Sequence, residues 1–211
     1  MVKVKIDHMR LTLIKSIILT VWITIFCITN FGIIRSMTIL ILLENNQLGL
    51  NLIMILFIYL LCMPELNRAL QGLNLSMMKQ VGFTLLLLLV TNFIYMVLVF
   101  GSFEVVSQNY DSVVLFSVIV IAPIREELVY RYLFLSITDS NWLKLVYGLV
   151  STGFFFYGHS FTYGGNLFAM VQVLFLTLAT TYLYVKTNNI LPAMMLHSLY
   201  NLFVLSLSMA Q

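Results

Sequence analysis

Long runs of apolar residues, separated by short polar stretches, make up most of the chain. A run of about 20 apolar residues can cross the hydrocarbon core of a bilayer as an α-helix. The runs lack the alternation of apolar and polar residues that is typical of a transmembrane β-strand. The pattern therefore predicts an all-α fold, a polytopic transmembrane helical bundle of about seven spans. The predicted spans are 14–34, 48–63, 80–100, 112–137, 144–160, 166–185 and 190–209.

The polar stretches between these runs are too short to form a soluble domain. Residues 64–80, PELNRALQGLNLSMMKQ, have mixed polarity and predict an interfacial helix after the second span. We therefore expect a single membrane domain. Residues 1–79 supply its N-terminal spans and the interfacial segment, and residues 80–211 supply the rest of the bundle.

Basic residues are distributed unevenly between the two sides of this bundle. Lys and Arg are enriched in cytoplasmic loops, and a cytoplasmic N-terminus leaves only Arg35 outside. The opposite loop, 101–111, carries two acids and no base. We expect a multi-pass protein of the cell membrane with its N-terminus cytoplasmic and its C-terminus external, and the short loops favour a bacterial origin. The basic residues on or near the inner side are Lys3, Lys5, Arg10, Lys15, Arg68, Lys79, Lys144 and Lys186.

The composition supports a membrane protein and indicates which kinds of partner to expect. Hydrophobic residues make up 61% of the chain and charged residues 9%, against about a quarter charged in soluble domains. The net charge of +3 is modest and forms no basic stripe, so we expect the lipid bilayer as a partner and no nucleic acid. Cys27 and Cys62 lie in apolar runs without a CxxC partner and are predicted to be free buried thiols. The oligomeric state is not indicated.

A small set of ionisable and amide side chains interrupts the predicted spans. Such residues cost several kcal/mol inside a membrane and usually face a bundle interior or a wet cavity. Helical spacing places Glu127 and Arg131 on one face as an ion pair, whereas Glu126 has no base four residues away. We therefore predict that Glu126 is unpaired and available. The set consists of Arg125, Glu126, Glu127, Arg131, His159, His197 and Asn201.

Estimated depths would allow these side chains to meet in a cavity open to the cytoplasm. His197 and Asn201 are four residues apart, so an imidazole and an amide share one helical face. Two such hydrogen-bond donors, aimed together, suit a developing oxyanion. Each residue alone has a plainer interpretation, such as a satisfied core histidine or a polar contact between helices. Their co-occurrence favours a shared catalytic site.

The segments EELVYR (126–131), FFFYGH (154–159) and TNNILPAMMLHSLYN (187–201) resemble, in order, motifs of the CAAX-protease and bacteriocin-processing family. The resemblance covers about residues 110–205. It implies that residues 80–211 form a catalytic core of an intramembrane glutamate-dependent endopeptidase. Its substrate would be a membrane-associated peptide or protein. In bacteria it implies peptide maturation, bacteriocin processing or self-immunity.

The resemblance also implies a role for each motif residue. Glu126, assisted by His159, would activate a water, while His197 and Asn201 would stabilise the oxyanion. Glu127 and Arg131 would support the site. One departure is visible, because Tyr132 stands where family members commonly have glycine. It would fill part of the cavity or push a neighbouring helix outward.

A metal cofactor is left open. Catalytic zinc sites use three protein ligands and an open position, and Glu126, His159 and His197 would be the candidates. No HExxH helix is present, and a desolvated carboxylate can activate water without a metal.

Two functions from other classes compete with the protease. A non-enzymatic scaffold or immunity protein would act through a partner membrane protein, but it would not need the catalytic set. A proton-coupled transporter could use Glu126 and the histidines as a relay. The lack of internal repeats disfavours a transporter.

Overall fold

The computed structural model describes residues 2–31, 46–102, 111–160 and 163–210. These residues form seven helices and no strand, so the predicted all-α fold of about seven helical segments is confirmed. Arg35 and most of the loop 101–111, which contribute to the predicted orientation, lie outside the described residues. The helices are α1 (Val2–Asn30), α2 (Gln47–Gln71), α3 (Leu75–Phe100), α4 (112–133), α5 (Asn141–Gly158), α6 (Leu167–Thr187) and α7 (Ile190–Ala210).

Five of the described helices are long and apolar enough to cross a membrane, namely α1 from Met9 onward, α2, α3, α6 and α7. Helix α4 carries four charges near its centre, and α5 is shorter, with 18 residues. The chain is a multi-pass membrane protein.

Residues 64–80 do not form the separate helix that was predicted. Helix α2 continues through Pro64 to Gln71, and α3 begins at Leu75 after a turn at Gly72. The mixed polarity of this stretch has a tertiary cause. Glu65 is paired within the bundle with Lys15, at 2.5 Å between Oε2 and Nζ, and so does not require an interfacial position.

Helix α4 is the central helix of the bundle. It contacts α1, α2, α5, α6 and α7, and residues 126–135 are all buried. A helix that is covered on every side lies in the core. Helices α3, α6 and α7 pack against one another beside it.

The backbone of α4 is not uniform, since α-helical segments alternate with π-helical segments at Ser117–Ile121 and Leu128–Leu133. Asp111 begins the helix, and its side chain accepts a hydrogen bond from the Val114 backbone N–H at 2.8 Å. Single π-helical turns within α-helices occur frequently at functional sites. Here the two turns flank Glu126 and Glu127.

Candidate active site

The buried pair Glu127 and Arg131 lies at the centre of the site. Arg131 Nη1 is 3.2 Å from Glu127 Oε1, and both side chains are fully buried. The predicted ion pair is therefore confirmed. The same Glu127 oxygen also accepts a hydrogen bond from His197 Nδ1 at 2.8 Å. Glu127 thus links α4 to α7 and fixes the orientation of the His197 ring.

Arg131 is held by two further residues. Its Nη2 donates to Thr177 Oγ1 at 2.6 Å and to the Thr177 carbonyl at 3.2 Å. Its guanidinium also lies over the Phe155 ring, 4.6 Å from the ring centroid. Contacts from α5 and α6 therefore fix the arginine that neutralises Glu127.

Glu126 has a partner that helical spacing does not reveal. Arg125 Nη2 donates to Glu126 Oε1, and Arg125 Nη1 donates to Asn51 Oδ1 on α2 at 3.2 Å. The prediction that Glu126 is unpaired is wrong. Adjacent side chains leave a helix about 100° apart, but an arginine is long enough to bend back to its neighbour, and Asn51 holds it there.

The second oxygen of Glu126 faces His197. Glu126 Oε2 lies 3.8 Å from His197 Nε2, which is longer than a direct hydrogen bond. His197 therefore stands between the two glutamates, bonded to Glu127 through one nitrogen and turned to Glu126 with the other. Glu126 is 7% exposed and His197 2%, so this arrangement is shielded from bulk solvent.

His159 follows the last residue of α5 and is half-buried. Its Nδ1 lies 2.8 Å from the Phe155 carbonyl, and its ring centroid lies 4.4 Å from that of Phe155. The Nδ1 contact directs Nε2 away from the backbone of α5.

Asn201 is occupied by a contact with the first π-helical segment. Its Nδ2 donates to the Val118 carbonyl at 2.9 Å. In that segment the Ala122 N–H reaches back five residues to Ser117. In the same five-residue pattern, the Val118 carbonyl would accept from the backbone N–H of residue 123, but Pro123 has no N–H. Asn201 supplies the missing donor, and a second amide hydrogen remains for another acceptor.

The structure does not gather the three candidate zinc ligands, Glu126, His159 and His197, into one group. Among the described residues, no group of three His, Cys, Asp or Glu side chains could hold a metal. Zinc binding stays an untested prediction, and the reaction proposed below has no step that uses a metal.

Tyr132 extends from α4 toward α1 and α2. Its hydroxyl donates to Glu65 Oε2 at 2.6 Å, and the Lys15 ammonium lies 4.8 Å from the centroid of its ring. The ring is 4% exposed. Where family members commonly carry glycine, this chain therefore has a side chain that joins three helices.

Sequence reasoning missed Asn51, Arg125 and Thr177. Arg125 is visible in the sequence as a charge within a span, but helical spacing does not indicate its partner. Asn51 and Thr177 belong to helices without motifs, and a single polar residue in an apolar helix gives no sign of its partner. Thr177 is fully buried, and only the packing of α6 on α4 shows that it contacts Arg131.

We expect Thr177→Val to destabilise the protein by about 1–3 kcal/mol, because a buried guanidinium loses a hydrogen-bond acceptor. Thr177→Ser keeps the hydroxyl and should restore most of this loss. Thermal unfolding in detergent measures both. Thr180 is the matched control, since it is also fully buried on α6 but bonds only to carbonyls of its own helix. An effect of Thr180→Val as large as that of Thr177→Val would contradict a specific role for the Arg131 contact.

The fold and the buried cluster define a class of protein. The chain is a multi-pass helical membrane protein whose central helix carries two glutamates. A histidine from α7 is hydrogen-bonded to one of them and faces the other. Residues 108–203 match the family model described as type II CAAX prenyl endopeptidase, Rce1-like. This match supports the CAAX-protease and bacteriocin-processing family that the motifs indicated. No curated protein and no solved structure matches the chain.

Proposed function

We propose that this protein is an intramembrane endopeptidase that hydrolyses a peptide bond in a membrane-associated peptide or protein. The observation that carries the proposal is the position of His197 between Glu126 and Glu127 in a buried cluster. The family match supports protease activity of the CAAX type. The roles of single residues are inferred from the geometry together with the motif resemblance.

In the proposed reaction Glu126 acts as the general base. Its Oε2 takes a proton from a water, aided by His159, as the water oxygen bonds to the carbonyl carbon of the substrate. Burial strengthens a carboxylate as a base, whereas the bond from Arg125 to Oε1 opposes that gain. Oε2, which Arg125 does not bond, is therefore the oxygen proposed to take the proton. Collapse of the tetrahedral intermediate breaks the C–N bond, and the proton on Glu126 passes to the leaving amine.

His197 and Asn201 would stabilise the oxyanion of that intermediate. Glu127 accepts from Nδ1 of His197, so Nε2 is the nitrogen that faces the reacting groups. Since Nδ1 already donates to Glu127, a hydrogen on Nε2 requires that both ring nitrogens of His197 carry hydrogens. That hydrogen and the second amide hydrogen of Asn201 would be the two donors. Such preorganised donors act most strongly where water is excluded.

The test of the proposed function is a comparison of membrane peptides by mass spectrometry. Cells expressing the wild-type protein are compared with cells expressing Glu126→Gln at equal membrane levels. We expect at least one cleavage product that only the wild-type protein generates. Identical peptide sets would contradict the protease assignment. The nature of the product would also distinguish peptide maturation from bacteriocin processing, the two biological roles that we propose.

The two roles of Asn201 can be separated with Pro123. We expect Asn201→Ala to lower kcat by about 10²–10³-fold, as for loss of an oxyanion donor, and to destabilise the fold because the Val118 carbonyl loses its donor. Pro123→Ala restores a backbone N–H, so the double variant should regain stability but not kcat. Thermal unfolding and steady-state kinetics on the identified product measure the two effects. Recovery of kcat together with stability would show that Asn201 is structural only.

The alternative is a scaffold or immunity protein that acts through a partner membrane protein. The double change of Glu126 and His159 to Ala discriminates between the two functions. A scaffold would retain its phenotype after this change, whereas a protease would lose it.

A further inference from the structure

A second polar site lies at the opposite end of α4 from Asp111. A cavity of about 440 Å³ opens where helix ends meet, at the end of the bundle that is predicted to face the cytoplasm. Its walls include Lys15 of α1, Arg68 of α2, Tyr132 of α4 and Lys144 of α5. None of the catalytic candidates lines it, so this cavity is a separate site.

The inner wall of the cavity is polar but electrically balanced. Lys15 is 2% exposed and pairs with Glu65 at 2.5 Å, and the Tyr132 hydroxyl donates to the same carboxylate. A buried ion pair of this kind costs desolvation energy unless further hydrogen bonds compensate. The tyrosine supplies one of these bonds. The inner wall therefore offers polar surface without an excess of charge.

The outer wall carries an excess of positive charge. Arg68 and Lys144 line it, and neither forms an ion pair with any carboxylate in the described part of the chain. Arg68 uses Nε to bond the Pro64 carbonyl at 3.0 Å, which leaves its two Nη groups for another acceptor. Thr138 and Asn188 add neutral donors, and Asp139 is the one acid on this wall.

We propose that this cavity binds a phosphate group, with Arg68 and Lys144 as its charged contacts. Arginine and lysine are the usual ligands of phosphate oxygens. Basic pockets between helix ends on the cytoplasmic side of membrane proteins bind anionic lipid headgroups. The phosphate could belong to an anionic phospholipid or to a soluble molecule, and the experiment below distinguishes the two. The proposal is independent of the protease activity.

The experiment measures the thermal stability of the purified full chain in detergent. The chain is titrated with short-chain phosphatidylglycerol, with short-chain phosphatidylcholine and with inorganic phosphate. Binding to the native state should raise the melting temperature by about 2–4 °C. We expect phosphatidylglycerol to have a larger effect than phosphatidylcholine. An equal effect of inorganic phosphate would identify a soluble molecule as the source.

The variant Arg68→Gln with Lys144→Gln tests the contacts. Removing two basic contacts should weaken binding by about 30-fold. The matched control is Lys79→Gln, which removes an exposed cation at the same end of the bundle, on α3 and outside the cavity. The melting temperature without ligand shows whether the double variant is folded. The two single variants provide a second measurement, and each should lose less binding than the double variant.

The proposal is overturned if neither phosphatidylglycerol nor inorganic phosphate stabilises the wild-type chain. It is also overturned if the double variant and Lys79→Gln respond to phosphatidylglycerol like the wild-type chain. A loss of response in the double variant alone supports the site.

Discussion

Glu126→Gln should reduce peptide hydrolysis by about 10²–10⁴-fold, the range that general acid–base catalysis contributes. The amide keeps the shape of the side chain and can still accept from Arg125, but it cannot take a proton from water. The loss should therefore appear in kcat, with the melting temperature nearly unchanged. Steady-state kinetics and thermal unfolding on the same preparation measure both quantities.

Asp111→Asn is the matched control for this change. It makes the same carboxylate-to-amide substitution on α4, at the N-cap, where asparagine caps a helix as well as aspartate does. We expect wild-type hydrolysis and stability from it. Hydrolysis by Glu126→Gln at the wild-type rate would exclude Glu126 as the base. A large fall in melting temperature would show instead that its bond to Arg125 is mainly structural.

Arg131→Leu should destabilise the protein by about 3–5 kcal/mol, because Glu127 is left as an uncompensated buried charge. Glu127→Leu should cost a similar amount by leaving Arg131 unpaired. Changing both residues to Leu should cost less than either single change, because no unpaired charge remains. Unfolding of the four proteins forms a double-mutant cycle that isolates the coupling of the pair.

Measuring hydrolysis in the same variants separates two roles of Glu127 and Arg131, namely stabilising the fold and orienting His197. In the double Leu variant the fold is expected to recover, but His197 has lost the carboxylate that orients its ring. We therefore expect hydrolysis to stay low in all three variants. Additive stability losses in the cycle would contradict a direct interaction between Glu127 and Arg131. Full hydrolysis by the double variant would contradict the role of Glu127 in orienting His197.

The sequence predicts the backbone of this protein better than it predicts the contacts of its side chains. Long apolar runs predict membrane helices because an apolar solvent requires internally satisfied backbone hydrogen bonds. The extension of α2 through Pro64 was missed, because Glu65 looks interfacial unless its partner Lys15 is known. The polarity of a residue indicates its surroundings only when its contacts are on the same helix.

In the candidate site, contacts within one helix are predictable from spacing, whereas contacts between distant residues are not. The Glu127–Arg131 pair follows from four-residue spacing on one helix, and the structure contains it. The bonds from Asn51, Thr177 and His197 join residues 46–74 positions apart. No periodicity connects such distant positions, so these bonds could not be predicted from the sequence.

The sequence by itself determined the membrane class, the number of helical segments and the set of ionisable residues in the central helix. Each of these follows from local composition or from spacing along one helix. Only the tertiary structure decided which polar groups meet, because partners on separate helices are chosen by packing. It paired Glu126 with Arg125, placed His197 between the two glutamates, and used Asn201 to supply the donor that Pro123 lacks.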